Sequence, residues 1–302
     1  MDSINNIQIN FNSDNLWLVN LTLSLVMFGV ALDIKLSDFT SLLNSPKPVI
    51  VGIISQFILI PLVTYLLILI STPVASIALG MMMVAACPGG NISNFMTKMA
   101  GGNTALSISL TAFASLAALV MTPLNFSIWG NLYEPTSAIL KTVSVEPLEI
   151  ARFVLLILGI PLILGMVIKN YHSTLASKIS KILKPISILI FLSFIGVAFF
   201  NNLDVFTEHI HYVFALVIIH NSLLLLTGFF FAKANRLSYL DQKTLSIETG
   251  IQNSGLGLLL VFTFFDGLGG MALLVAFWAI WDIASGLLIA FFWSDKSKKR
   301  RS

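Results

Sequence analysis

Glu248 is a carboxylate set where water should not reach. It lies in "SIETGIQNSG", inside a long apolar run, and no Lys or Arg falls in the middle of any such run. An ionised carboxylate in hydrocarbon costs several kcal/mol unless something pairs with it. Two solutions follow: Glu248 carries a proton, or it neutralises a bound cation. Oxygen-bearing side chains elsewhere favour the cation. They are Ser93 and Asn94 in "CPGGNISNFM", Gln56 in "GIISQFILIP", and Gln252 in the segment of Glu248 itself. Ser107 and Thr111 add two hydroxyls four residues apart, which share one helix face. A hard ion such as Na⁺ seeks oxygen ligands of this kind. Any one of these residues alone reads as an ordinary structural polar group; their concentration around two interrupted segments is the chemical signal.

The interruptions need elements to hold them. "PGGNISN" (88–94) and "ETGIQNSG" (248–255) place glycines, amides and a serine inside runs that otherwise read as membrane helix. Open backbone at membrane depth is tolerated only where protein buries it or where it lines a wet cavity. A helix broken there turns N–H groups towards anions and carbonyls towards cations. Two Gly-interrupted segments in corresponding positions point to a transporter's binding site.

Composition sets the frame. Of 302 residues, 57% are hydrophobic and 10% charged, and the mean hydropathy is +0.92. An average soluble domain carries about 25% charge. The chain therefore reads as an all-α polytopic membrane protein with nine transmembrane helices. The expected spans are 15–34, 48–71, 74–98, 103–130, 148–168, 183–200, 210–232, 243–265 and 269–293. A β-barrel would instead show alternating segments of about ten residues. The broken spans are third and eighth, five apart, so equivalent segments run in opposite directions. That count implies inverted repeats.

Of the 17 Lys and Arg, all but Lys141 and Arg152 fall on one side of this nine-span path. The positive-inside bias makes that side cytoplasmic. Residues 1–14 then form a polar N-terminal tail outside, and 294–302 a basic cytoplasmic tail. "MDSINNIQINFNSDN" holds no Lys or Arg, so it is not read as a secretory signal. The basic tail reads as topology and anionic-lipid contact, with no nucleic-acid partner. The absence of a presequence and the short loops point to a plasma or bacterial inner membrane. Trp17, Trp129, Tyr133 and Tyr212 near one interface, and Tyr171, Tyr239 and Trp293 near the other, match an aromatic belt. A single cysteine, Cys87, excludes an intrachain disulfide.

"CPGGNISNFM", "IETGIQNSG" and the early "MFGVALDIKLSDF" resemble the bile acid:sodium symporter family over nearly the whole chain, in the pattern of its nine-helix, rather than ten-helix, members. The resemblance implies a panel domain (15–34 and 148–200) and a core domain (48–130 and 210–293), with spans three and eight crossing at their breaks. It implies two coupling Na⁺ ions. The first would be held by Ser93, Asn94, Ser107, Thr111 and Glu248. The second would be held by Gln56, Glu248, Gln252 and the carbonyls of Thr249 and Ile251. The implied activity is sodium-coupled symport of organic anions by alternating access, with no oligomer required. With no basic residue at mid-membrane, the substrate anion must meet half-helix N–H groups and amides. Asn91, Asn94, Asn253 and Ser254 are the candidates.

Asp282, in "FWAIWDIASG", departs from the neutral or titratable polar residues of the family. With His220 as a candidate partner, it marks an extra polar site. The alternative is a proton-coupled organic anion transporter on the same fold, using Glu248 and Asp282. A third class, an intramembrane enzyme or receptor, would need a nucleophile–base or metal constellation, and the sequence offers none. His209 and His211 in "EHIHY" form a pair only at a loop–helix edge.

Overall fold

The computed structural model describes residues 16–35, 46–90, 92–143, 146–200 and 203–299. These are helical almost throughout. In chain order the helices are α1 (Leu16–Ala31), α2 (Pro46–Ser71), α3 (Ala75–Ala86), α4 (Ile92–Met99), α5 (Thr104–Leu132) and α6 (Glu134–Val143). There follow α7 (Pro147–Tyr171), α8 (Ser173–Phe200), α9 (Leu203–Ala234), α10 (Tyr239–Gly250), α11 (Ser254–Phe264) and α12 (Gly269–Lys299). Among the described residues, α2, α5, α7, α9 and α12 each contain a stretch long and apolar enough to cross a membrane. The protein is a multi-pass membrane protein built from helices.

The third and eighth expected spans are broken as their sequences dictate. Pro88, Gly89 and Gly90 separate α3 from α4, and Ile251, Gln252 and Asn253 separate α10 from α11. Three elements differ from expectation. The segment 169–182, read as a loop, is nearly all helix: α7 runs to Tyr171 and α8 starts at Ser173. Its apolar residues recur at helical spacing, and Ala176 and Ser180 are buried against α1. Ser180 Oγ donates to Asp33 Oδ1 at 3.1 Å. α6 was not anticipated, because it is amphipathic and lies between spans. The tail expected from residue 294 continues α12 to Lys299.

Two prolines shape the long helices. Pro61 has no N–H to offer the carbonyl of Phe57, and α2 widens into a π turn at Ser55–Leu59. Asn125 Nδ2 of α5 donates to the freed Phe57 carbonyl at 3.2 Å. Pro161 does the same to α7, with a π turn at Leu155–Gly159, and Ser24 Oγ of α1 takes up the Ile157 carbonyl at 3.3 Å. The π turn in α2 buries Ser55, Gln56 and Phe57 together.

α1 packs on α7 and α8, while α3 packs on α12, α5 and α2, and α9 on α10 and α12. Small residues allow the close approaches, as in membrane bundles generally. A Cβ on Gly165 of α7 would lie 2.9 Å from the Phe28 carbonyl of α1, and one on Gly80 of α3 would lie 3.1 Å from Met271 Cα of α12. α3 is buried from Ser76 to Ala86, and α10 from Lys243 to Gly250. A helix as polar as α10, buried for two turns, needs partners for its side chains, and those partners form the site.

Candidate ion-binding site

The two breaks cross. Gly89 and Gln252 form an isolated antiparallel bridge. Gly90 N–H donates to the Ile251 carbonyl at 2.9 Å, and Asn253 N–H donates to the Pro88 carbonyl at 2.9 Å. Gly90 is required here, because a Cβ would fall 2.8 Å from the Gln252 carbonyl oxygen. The half-helices end properly around this knot. Asn253 Oδ1 caps the start of α11 by accepting from Leu256 N–H at 3.1 Å. Asn103 does the same for α5 through Leu106 N–H at 3.2 Å. At its far end α4 closes with Gly101 at φ 66°, as Gly102 N–H bonds to the Thr97 carbonyl at 2.9 Å. Lys243 Nζ then donates to the Ala100 carbonyl at 2.7 Å and lies over the rings of Tyr239 and Trp293. This puts a cation at a helix C-terminus, where the dipole favours it.

Glu248 sits in the last turn of α10, 6% exposed. Among the described residues its partners are hydroxyls, with no Lys or Arg. Ser93 Oγ of α4 donates to Oε1 at 2.5 Å, Thr111 Oγ1 of α5 to Oε2 at 2.9 Å, and Ser107 Oγ makes a short contact with Oε1. Asn94 Oδ1 lies 2.8 Å from Ser107 Oγ and 3.2 Å from Thr111 Oγ1. The five residues expected to hold a first ion are thus in mutual contact. A hydroxyl has one proton and two lone pairs. The same oxygens that donate to Glu248 can rotate to present lone pairs to a cation.

Thr97 joins this group, with Oγ1 3.3 Å from Ser107 Oγ. Sequence reasoning missed it, although it lies one turn after Ser93 on α4 and shares its face.

The residues expected to hold a second ion adjoin the first group. Gln56 Nε2 donates to Gln252 Oε1 at 3.0 Å and to the Cys87 carbonyl at 3.1 Å. Gln252 Nε2 donates to the Thr249 carbonyl at 2.9 Å. Ser55 Oγ and Thr249 Oγ1 are 2.9 Å apart. The Ile251 carbonyl already receives Gly90 N–H, which leaves it one lone pair. A cavity of about 10 Å³, about enough for one water-sized occupant, opens beside Gln56, Glu248 and Thr249.

The candidate substrate residues are divided. Asn94 belongs to the Glu248 group. Asn253 spends its oxygen on the cap of α11 and turns Nδ2 to Met27 Sδ of α1 at 3.9 Å. Ser254 is turned inward, and its Oγ donates to Asp282 Oδ2 at 3.1 Å. Asn91 lies outside the described residues. Asp282 also accepts from Gln252 N–H at 3.3 Å and from Asn221 Nδ2 at 3.4 Å. Its partner on α9 is therefore Asn221, not His220. The two are consecutive on a helix, so their side chains point about 100° apart. His220 Nε2 instead meets Thr64 Oγ1 of α2 at 2.7 Å, and its ring packs edge-on against Trp278. His209 and His211 fall in α9, but their side chains lie outside the described ones.

The signature of the Sodium Bile acid symporter family matches residues 20–209. The chain belongs to that family. It is 33% identical over 284 residues to an uncharacterized sodium-dependent transporter, YocS, of Bacillus subtilis, covering 94% of this chain and 85% of the relative. It is 30% identical over 286 residues to a sodium-dependent organic anion transporter of Mus musculus, covering 92% of this chain and 73% of that protein. A probable sodium/metabolite cotransporter of Arabidopsis chloroplasts, BASS1, is 28% identical over 252 residues, which span 83% of this chain and 60% of the plant protein. The Sodium Bile acid symporter family comprises transporters, not enzymes. Membership makes Na⁺ the coupling ion and an organic molecule the cargo.

Proposed function

We propose that this protein is a symporter that couples two Na⁺ ions to the uptake of an organic anion by alternating access. One observation carries the reading. A buried carboxylate, Glu248, is surrounded by three hydroxyls and the Asn94 amide oxygen at the crossing of two broken helices, with no basic residue among its described partners. A cation supplies the missing charge. Ser93, Asn94, Ser107, Thr111 and Glu248 hold the first ion; Gln56, Glu248, Gln252 and the Thr249 and Ile251 carbonyls hold the second. Glu248 serves both.

Nine spans complete the path, with the broken pairs α3–α4 and α10–α11 as the third and eighth members of an inverted repeat. α1, α7 and α8 form the panel and the remaining spans the core. The N-terminus lies outside and the basic C-terminus in the cytoplasm. The anion binds between core and panel, where Asn253 faces Met27, with Asn91 and Asn94 as further polar contacts. Bound sodium ties α4, α5 and α10 together and favours the state that takes the anion. The core then moves against the panel. Two Na⁺ with one monoanion carry net positive charge inward, so each 100 mV adds about 2.3 kcal/mol of driving force.

Uptake of radiolabelled taurocholate into proteoliposomes tests this, under an inward gradient of Na⁺ or of K⁺, for wild type and Glu248→Gln. Uptake with Na⁺ alone, abolished by the substitution, is the expected result. Equal uptake under both cations overturns sodium coupling. No uptake under either removes bile acids from the substrate range and turns the assay to smaller organic anions.

A further inference from the structure

Three stripes of oxygen leave the Glu248 group in the same direction. On α5, Thr111 and Ser107 are followed one turn on by the N-cap residue Asn103. On α10, Glu248 is preceded by Thr244 and then Asp241. On α4, Ser93 is followed by Thr97. Spacings of three and four keep each stripe on one helix face. The stripes meet side by side. Ser107 Oγ lies 3.3 Å from Thr97 Oγ1. Thr244 Oγ1 accepts from Asn103 N–H at 2.8 Å and lies 3.3 Å from the Asn103 carbonyl. Asn103 Nδ2 donates to Asp241 Oδ1 at 2.8 Å. Burial falls along the way: Glu248, Ser107, Thr97 and Thr244 are buried, while Asn103 and Asp241 are half-exposed. Seven residues of α10 separate the end carboxylates, about 10 Å along the helix axis.

We propose that this seam is the passage by which Na⁺ moves between the Glu248 site and the basic face of the membrane, with Asp241 as its mouth. The inference rests on the sodium-coupled reading above and adds a route to it. The chemistry of the lining supports it. Thr244 gives its proton to the Leu240 carbonyl of its own helix at 2.9 Å and accepts from Asn103 N–H, which leaves it one lone pair for the seam. A cation leaving one carboxylate meets an oxygen at each step and ends at another. The cavity beside Gln56 offers no such path, because Phe57, Leu110, Phe113 and Ala114 line much of it. Gly102 packs against the seam, where a Cβ would lie 2.9 Å from both Thr244 Oγ1 and Thr97 Cγ2.

A passage changes rates, whereas a binding site changes equilibria. The test measures both on the full chain: Na⁺-driven taurocholate uptake in proteoliposomes, and the Na⁺ midpoint for thermal stabilisation in detergent. Gly102→Ala puts a methyl in the seam. Thr244→Val, which keeps shape and loses one oxygen, serves if Gly102→Ala does not fold. Either should slow maximal uptake about tenfold, the effect of a barrier higher by about 1.4 kcal/mol, with the Na⁺ midpoint unchanged. Asp241→Asn should weaken inhibition of uptake by Na⁺ on the basic face about threefold, a small part of the interaction of two charges near a protein surface. Full-speed uptake in the seam variants, in liposomes where wild type remains Na⁺-driven, overturns the passage and leaves the sodium site standing. A Na⁺ midpoint that shifts in proportion to the rate also overturns it, because the residues then act on the site. Wild type indifferent to Na⁺ overturns the parent reading and the passage together.

Discussion

Adjacent glycines at the crossing have opposite tasks, and an alanine at each should separate them. At Gly90 the new Cβ would lie 2.8 Å from the Gln252 oxygen, whereas ordinary contact begins at 3.4 Å. The strand must retreat by about 0.6 Å, which stretches Gly90 N–H···O=C Ile251 from 2.9 Å to roughly 3.5 Å, beyond hydrogen-bond range. A buried backbone group left unpaired costs about 1–3 kcal/mol, which lowers Tm on the order of 5 °C. At Gly89 the Cβ would be 3.4 Å from Glu248 Oε2, 3.5 Å from the Glu248 carbonyl and 3.8 Å from Gln56 Oε1. Nothing clashes, so stability without sodium should match wild type. The methyl does occupy the space between carboxylate and amide, where a cation of calcium-like size needs oxygens at about 2.3–2.6 Å. Thermal melts in detergent, in NaCl and in KCl at equal ionic strength, read both effects. Sodium at 100 times its Kd should raise wild-type stability by about 2.7 kcal/mol, and a tenfold weaker site in Gly89→Ala should lose about half of that. A normal melt for Gly90→Ala, with a full sodium response in Gly89→Ala, would refute the reasoning.

Other outcomes follow from the same contacts. Lys243→Met keeps the stem but leaves the Ala100 carbonyl unpaired, and should cost about 1–3 kcal/mol in the same melts. Asp282→Asn keeps the shape that holds Gln252 N–H and Ser254. It should raise the sodium concentration for half-maximal uptake only a few-fold, roughly 1 kcal/mol, with uptake still driven by Na⁺; uptake that no longer needs Na⁺ would contradict this. Gly228→Ala would bring a Cβ within 2.6 Å of Thr249 Oγ1. It should separate α9 from α10 at a cost of about 1–3 kcal/mol, seen as a lower Tm.

The Glu248 group was legible because its signals are local. A carboxylate in an apolar run, glycines beside it, and hydroxyls at spacing four need no knowledge of distant residues. The breaks in α3–α4 and α10–α11 were legible for the same reason. Thr97 was equally accessible, one turn from Ser93, and was passed over. What the sequence hid depends on tertiary direction. Ser254 reads as a free hydroxyl at a half-helix start, but only the packing of α12 shows that it turns to Asp282. Asn221 and His220 are equivalent on paper, and helix rotation alone decides which meets Asp282. α6 escaped because a search for long apolar runs does not find a short amphipathic helix. The π turn that buries Gln56 was signalled by Pro61, but the rescue of Phe57's carbonyl by Asn125 required the fold.

The antiparallel bridge also has a history during synthesis. Gly89 and Gln252 are about 160 residues apart in the chain. At about 5–20 residues per second, the ribosome needs roughly 8–30 s to deliver the second strand after the first. For that interval the carbonyl of Pro88 and the N–H of Gly90 have no partner, and Ser93 has no carboxylate to meet. Lipid cannot satisfy them. The break between α3 and α4 therefore gains its native partners only once α10 and α11 have emerged. Folding of this transporter is timed by its C-terminal half.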